Sequence, residues 1–287
     1  METVRGTRGP ILLAPAGSLP AVGAALSAGA DAVYVGCRRW SRGGERVALP
    51  DGEIREAAAM CREAGARLHA AMNTVPAAAE LPSFRNAVAR MRDAGVFAVI
   101  LADPGLISLV RREVRDLRIT ASVGLSALNP PDARFYRDLG ADAVVLPTAV
   151  SPQEVPAIRS GGGLGVEVFV RCRPEILLQG KCALTGYLRE EGGPPGRPTP
   201  DGMCGILSAK RSGRCLLACR EIPLSRELHS IEDAMDPWIA AGVDVFKIQG
   251  RELPPPLLSA TVSRIRGKLD AAVARVAGIP TGGGVRT

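Results

Sequence analysis

The chain has 287 residues, of which 46% are hydrophobic and 23% charged, a balance that excludes wholesale disorder and supports a sizeable folded core. Thirty-six Lys and Arg against 29 acids leave a net charge of +7, but the basic residues are scattered through predicted helices and mark no nucleic-acid tract. At 3%, aromatic residues offer little for base stacking, and no apolar run has the length of a signal peptide or of a membrane span of about 20 residues, so the expectation is a cytoplasmic protein.

In chain order, ILLAP (11–15) reads as a first short apolar strand, and the phrase that follows it recurs. SAGADAVYVG (27–36), EAGARLHAAMN (63–73), DAGVFAVILAD (93–103), DLGADAVVLP (138–147) and AAGVDVFKIQG (240–250) each read as a helix end closed by Gly and followed by an apolar, β-branched strand. RITASVGLS (118–126) and VEVFV (166–170) complete a set of eight strands. Amphipathic segments such as PDGEIREAAAMCREAG and LPSFRNAVARMRDAG separate them, the alternation that yields a parallel sheet covered by helices. Eight strands in about 250 residues predict a TIM-like (β/α)8 barrel occupying 1–287 as a single domain. A Rossmann sheet is the runner-up, but no GxGxxG follows a strand, since GGGLG (161–165) precedes one.

In such a barrel the chemistry belongs at the C-terminal ends of the strands. That rim would carry Gly17–Ser18, Cys37, Asn73, Asp103, Ser122 to Ser126, Pro147, Arg171–Cys172 and Lys247 to Arg251. Between the last two strands lies one long connection, set here as a cysteine-rich insertion over 171–239, with five of the seven cysteines. A disulfide framework is disfavoured in a reducing compartment, which leaves metal ligation or buried thiols. Cys61, inside an amphipathic helix, reads as core. Cys215 and Cys219 in SGRCLLACREIP are separated by three residues, the wrong spacing for a zinc knuckle, and the chain has only His69 and His229 to complete such a site. An iron–sulfur cluster tolerates varied spacing and fits at least as well.

The segments EVFVRCRPEILLQGKCALTGYL (167–188), RSGRCLLACRE (211–221) and AGVDVFKIQGR (241–251), with LLAPAGSLPAVGAALSAGADAVYVG (12–36), resemble the collagenase-like peptidase family over about residues 11–270. Within that family the chain resembles the oxygen-independent hydroxylase branch and is similar to the smaller of the two anaerobic ubiquinone-hydroxylation proteins. The resemblance implies a barrel, a [4Fe–4S] cluster and prephenate as oxygen donor. It gives Cys182, Cys215 and Cys219 as cluster ligands. A fourth family position is occupied here by Glu175, so Cys37 is taken as the fourth ligand, with Cys172 and Cys204 in reserve.

Arg171, Lys247 and Arg251 are the cations available for a dianionic donor, and Asn73 and Ser122 can hydrogen-bond a small substrate. Each has a plain structural reading too: strand-end cations pair with carboxylates, and buried Asn and Ser satisfy backbone. His69, within LHAAMN, reads as packed. Arg171 stands where the family usually has His, and Thr148 to Ser151 replace a usual Arg-Glu-Leu-Ser run.

Three functions follow from these residues and the resemblance. The first is a cluster-dependent hydroxylase of a small aromatic or quinone-precursor-like molecule. The second is an RNA base hydroxylase of the same chemistry, acting on tRNA or rRNA. The third is a noncatalytic, cluster-bearing subunit in a heterodimer with a related member. A peptidase reading has no HExxH or GxSxG behind it.

Overall fold

The computed structural model describes residues 9–42, 44–173 and 228–278. Eight parallel strands form a closed ring: β1 (Ile11–Ala16), β2 (Ala32–Cys37), β4 (Arg67–Ala71), β5 (Ala98–Leu101), β6 (Arg118–Ala121), β7 (Ala143–Val145), β8 (Gly165–Cys172) and β10 (Val245–Ile248). β1 pairs with both β2 and β10, which closes the barrel and rules out the open doubly wound sheet. A two-residue β3 (Ala48–Leu49) extends β2, and β9 (His229–Ser230) runs antiparallel to the end of β8.

Helices α1 (Leu19–Ser27), α2 (Asp51–Glu63), α3 (Leu81–Asp93), α4 (Pro104–Glu113), α5 (Pro130–Leu139), α6 (Val155–Gly162), α7 (Asp236–Ala240) and α8 (Pro255–Val276) surround it. Among the described residues no helix is long and apolar enough to cross a membrane.

The recurring phrase explains both the turns and the strand starts. Its five glycines, Gly29, Gly65, Gly95, Gly140 and Gly242, all lie at φ between 66° and 107°, the left-handed cap that ends each helix before the strand begins. In three repeats an Asp follows two residues later and works as a lock. Asp31 accepts from the Leu12 backbone N–H and from Arg266, each at 2.8 Å. Asp142 accepts from Ile119 N–H at 2.8 Å and Arg111 at 2.6 Å, and Asp244 from Val166 N–H at 2.8 Å and from Arg159. Each carboxylate thus ties the neighbouring strand to a helix.

The two repeats without Asp carry Arg67 and Phe97 in its place. Arg67 lies over the Phe97 ring, 4.3 Å from its centroid, with Arg118 at 5.5 Å.

Side chains alternate along every strand. One parity faces the helices and builds the main core, with Leu12, Val33, Val35, Val99 and Phe246. The other faces the lumen, where Leu13, Ala32, Tyr34, Ala71, Ile100 and Val245 form a smaller cluster. Two expected strands differ in extent. RITASVGLS stops as strand at Ala121 because a 3-10 turn (Val123–Leu125) follows, with Ser126 left-handed, whereas VEVFV extends to Cys172 through its pairing with β9.

Candidate functional site at the barrel mouth

Register places Glu167, Phe169, Thr120, Tyr34, His69 and Lys247 on the lumen face. Lys247 and Glu167 are opposite charges on adjacent strands, 4% and 1% exposed, and their Nζ–Oε2 distance is 3.3 Å. Thr120 Oγ1 donates to the other Glu167 oxygen at 3.3 Å. Burial pulls the Lys247 pKa down while Glu167 opposes the shift. Lys247 therefore belongs to a mid-lumen ion pair below the rim.

Above it, the Tyr34 ring is near two cations, Lys247 at 4.9 Å from its centroid and Arg251 at 5.9 Å. Its hydroxyl donates to the Ile248 carbonyl at 3.0 Å, and burial holds the phenol protonated.

Arg251 lies across the end of β2, where it donates to Ser41 Oγ. It fits there because residue 36 is glycine. A Cβ at Gly36 would collide with Arg251 Nη1 and Ser41 Oγ and sit 3.0 Å from the Val47 carbonyl oxygen. Gly36→Ala is therefore expected to displace Arg251 and to cost about 1–3 kcal/mol as overpacking, measurable by urea unfolding. Unchanged stability would show that the arginine relocates freely.

Asn73 Oδ1 accepts from the Arg42 backbone N–H at 3.1 Å, which anchors the strand-two loop on the mouth. Ser122 is buried, with its backbone N–H bonded to Leu101 and its carbonyl to Leu125 N–H. Ser18 and Asp103, also on the expected rim, are helix caps, accepting from Ala21 and Leu106 N–H.

The cysteines separate clearly. Cys37, the last residue of β2, has the helix-facing parity. It is 1% exposed in the main core with Val33 and Val35, and burial pushes its thiol up to about 12 with Asp51 adding to the shift. Cys61 is likewise core, its thiol pushed to about 12 by burial. Cys182, Cys204, Cys215 and Cys219 lie outside the described residues, and among the described residues no three His, Cys, Asp or Glu form a metal-binding group.

Cys172 is different because a bulge intervenes. Lys247 pairs with Phe169 but Ile248 with Arg171, so one extra residue of β8 is accommodated and the alternation changes phase. Arg171 consequently reaches the buried Glu232, at 3.4 Å, alongside Arg264 and Lys268 of α8. The expected role of Arg171 as a lumen cation is thus replaced by an ion pair behind the wall. Cys172, 4% exposed, instead comes within electrostatic range of the Tyr34 phenol.

Its backbone is held on both sides, by the pairing with His229 and by hydrogen bonds from Gln249 N–H to the Arg171 carbonyl (2.9 Å) and from Arg173 N–H to the Gln249 side chain (2.6 Å). The cysteine-bearing segment departs from this point and returns through β9.

Tyr34, Glu167, Ser41, Arg42 and Glu232 were not singled out from sequence. The lone Glu in VEVFV and lone Lys in VFKI carried a signal, being opposite charges in adjacent apolar strands. Arg42 and Ser41 carried none.

Comparison with known proteins gives a consistent picture. The model of the family described as Peptidase family U32 matches residues 17–278. The tRNA hydroxylation protein P of Escherichia coli is 30% identical over 182 residues, covering 63% of this chain and 40% of that protein. The tRNA hydroxylation protein P1 of Bacillus subtilis is 25% identical over 271 residues, covering 92% and 64%. The chain therefore spans less than two thirds of the length of these relatives. The solved structure of the U32 peptidase Mk0906 superposes with a TM-score of 0.61 at 18% identity, over 88% of this chain and 98% of that one, a likeness of fold.

Proposed function

From its place in peptidase family U32, to which the chain belongs, we propose that it is a hydroxylase that works through a [4Fe–4S] cluster, without dioxygen, on a nucleobase of RNA. The observation that carries this reading is the mouth itself. A thiol, Cys172, is turned by a bulge to the side of the Tyr34 phenol at the point where a segment with four more cysteines begins. The names of the Escherichia coli and Bacillus subtilis relatives support tRNA as the substrate class.

A second substrate reading, a small aromatic or quinone-precursor-like molecule, is favoured by the low aromatic content, which leaves few stacking platforms for bases. In either case prephenate is the proposed oxygen donor. Heterodimer formation with a related member remains a proposal on the sequence departures at Arg171 and Thr148 to Ser151 alone.

In this reading Cys172 takes the place assigned to Cys37. Four thiolates are required, and Cys182, Cys215 and Cys219 with Cys172 would supply them, whereas the Cys37 thiol lies in an apolar core on the other face of the sheet, where burial favours its protonated form. When bound, the cluster would supply the electron transfer that amino-acid side chains cannot. The chain's own residues do the rest: Tyr34, Asn73 and Ser41 shape the floor, and burial of these groups excludes water from it.

Anaerobic purification and reconstitution test the reading. About four irons per chain are expected, lost in Cys172→Ser, Cys182→Ser, Cys215→Ser and Cys219→Ser but retained in Cys37→Ser. Fewer than about three irons in the parent would end the cluster reading. Loss in Cys37→Ser with retention in Cys172→Ser would return the fourth ligand to Cys37. Nucleoside mass spectrometry of tRNA from a strain lacking the protein separates the substrates: disappearance of a base carrying one extra oxygen supports RNA, and an unchanged nucleoside profile supports the small molecule.

A further inference from the structure

The connection between β2 and β3 leaves the barrel at its mouth and is basic. Residues 38–47 carry four Arg against one Glu, beginning with RRWSR directly after Cys37. Both ends of the connection are fixed, because β3 pairs alongside the last two residues of β2, Ala48 with Gly36 and Leu49 with Cys37. The chain thus departs from the wall and rejoins it at one place.

Between those ends the backbone is pinned repeatedly. Arg38 N–H donates to the Leu49 carbonyl and Trp40 N–H to the Cys37 carbonyl, each at 3.1 Å. The Trp40 carbonyl accepts twice from Thr74, from its N–H at 3.1 Å and its Oγ1 at 3.0 Å. The Trp40 ring is buried edge-on against Phe84 of α3, with centroids 5.1 Å apart. An aromatic anchor and four backbone hydrogen bonds therefore hold this part of the rim.

What the anchored backbone turns to solvent is guanidinium. Arg38, Arg39 and Arg46 are exposed, while Cys37, Trp40 and Ala48 beside them are buried. Arg39 also lies at φ 72°, in the left-handed region, where a Cβ is disfavoured and Asn or Gly fits with less strain. Its head gains little in return within the fold. It meets Glu80 at 3.8 Å, an exposed pairing of small worth, and lies 5.2 Å from the Trp40 ring centroid. The other Glu80 oxygen accepts from Ala77 N–H at 2.9 Å. Strain retained at a residue whose head is so weakly engaged points to a use for that head outside the fold.

We propose that Arg38, Arg39 and Arg46 form a docking surface for the phosphate backbone of an RNA substrate, holding it at the barrel mouth. Guanidinium groups suit phosphate oxygens, and contacts of this kind fix the position of a nucleic acid without reading its bases. They need no stacking platform, so the surface suits a chain with only 3% aromatic residues. The surface rests on the RNA reading for the identity of the polyanion and goes beyond it in assigning the residues that hold it.

Filter binding of bulk tRNA to the full chain, purified anaerobically and measured over about 50 to 200 mM salt, tests the surface. The parent is expected to bind, with affinity falling as salt rises. Arg38→Gln, Arg39→Asn and Arg46→Gln should each reduce the slope of log affinity against log salt by about one. The triple variant should bind about tenfold or more weakly. Asn at position 39 keeps the left-handed turn, so its effect reports the lost charge and not a lost loop. Arg115→Gln removes an exposed arginine from the turn before β6, at the opposite end of the barrel, and should change neither affinity nor slope.

Should the triple variant lose its folded circular-dichroism signal, the three single variants decide by their slopes. No tRNA binding by the parent, variants that bind like the parent, or equal weakening by Arg115→Gln overturns the docking surface. Binding that depends on the three arginines, together with an unchanged nucleoside profile in the strain lacking the protein, keeps the surface and sinks the RNA hydroxylase reading. A lost nucleoside with variants that bind like the parent does the reverse.

Discussion

Replacing Lys247 by Met is expected to cost about 3–5 kcal/mol of folding stability, because it leaves the Glu167 carboxylate buried in the lumen without its cation. Thr120 remains as a hydrogen-bond partner at 3.3 Å, but a hydroxyl cannot offset a full charge in a low-dielectric site. Glu167→Gln should cost a similar amount by stranding the ammonium, which is already strained by burial.

The double variant, Lys247→Met with Glu167→Gln, removes both charges and should recover most of the loss, since an ion pair buried this deeply adds little over a neutral pair of the same size. Urea unfolding of the parent, both single variants and the double variant gives the coupling directly. Single variants within about 1 kcal/mol of the parent, below the range for a broken buried pair, would mean that water reaches the pair and the lumen is wetter than its 1–4% exposures imply.

What the sequence made legible followed periodicity. The Gly-closed helix and apolar strand recur with a fixed phase, and that phase alone separates lumen from core: Tyr34 and Gly36 on one face, Val33, Val35 and Cys37 on the other. Cys37 was placed on the rim by its position at a strand end, which is correct for the backbone. Its parity put the thiol behind the wall, and counting parity from Tyr34 would have shown this.

Arg171 and Cys172 could not be read in the same way. Their directions depend on a bulge opposite Ile248, and a bulge is set by how two distant strands meet rather than by either strand's own residues. Arg42 was hidden for a related reason. It sits in an irregular loop, anchored by Asn73 thirty-one positions away and directed by the space beside Gly124.

The three Asp locks show the opposite case, in which a local phrase carries tertiary information. Gly-x-Asp fixes a left-handed cap, and the carboxylate two residues on finds the neighbouring strand's N–H because every β/α unit is built alike. In the second and third repeats, where Arg67 and Phe97 replace the Asp, the strand starts are held by ring stacking. His69 is drawn into the same cluster, 5.6 Å from Phe97 between ring centroids.

That placement makes His69 the source of a large acid sensitivity. It is 6% exposed, its Nδ1 is buried without a partner, and burial, followed by Lys247, Arg67 and Arg118, lowers its pKa from 6.5 to about 3. In the unfolded chain it takes up a proton near the ordinary value, and in the folded chain it does not. Folding stability is therefore unaffected above pH 6.5 and falls as the pH drops from there toward 3, by about 1.4 kcal/mol per pH unit and about 5 kcal/mol in all.

Carboxylates titrate in the same range, so the quantity to measure is the stability difference between the parent and His69→Leu at a series of pH values. The substitution keeps an apolar body against Phe97 and removes the titrating ring. Any fixed packing cost appears at neutral pH, and the difference should then shift steadily in favour of the variant as the pH is lowered. A difference that stays constant from neutrality to pH 4 would mean that His69 takes up its proton equally in both states, and that the lumen beside Lys247 and Glu167 admits a charged imidazole.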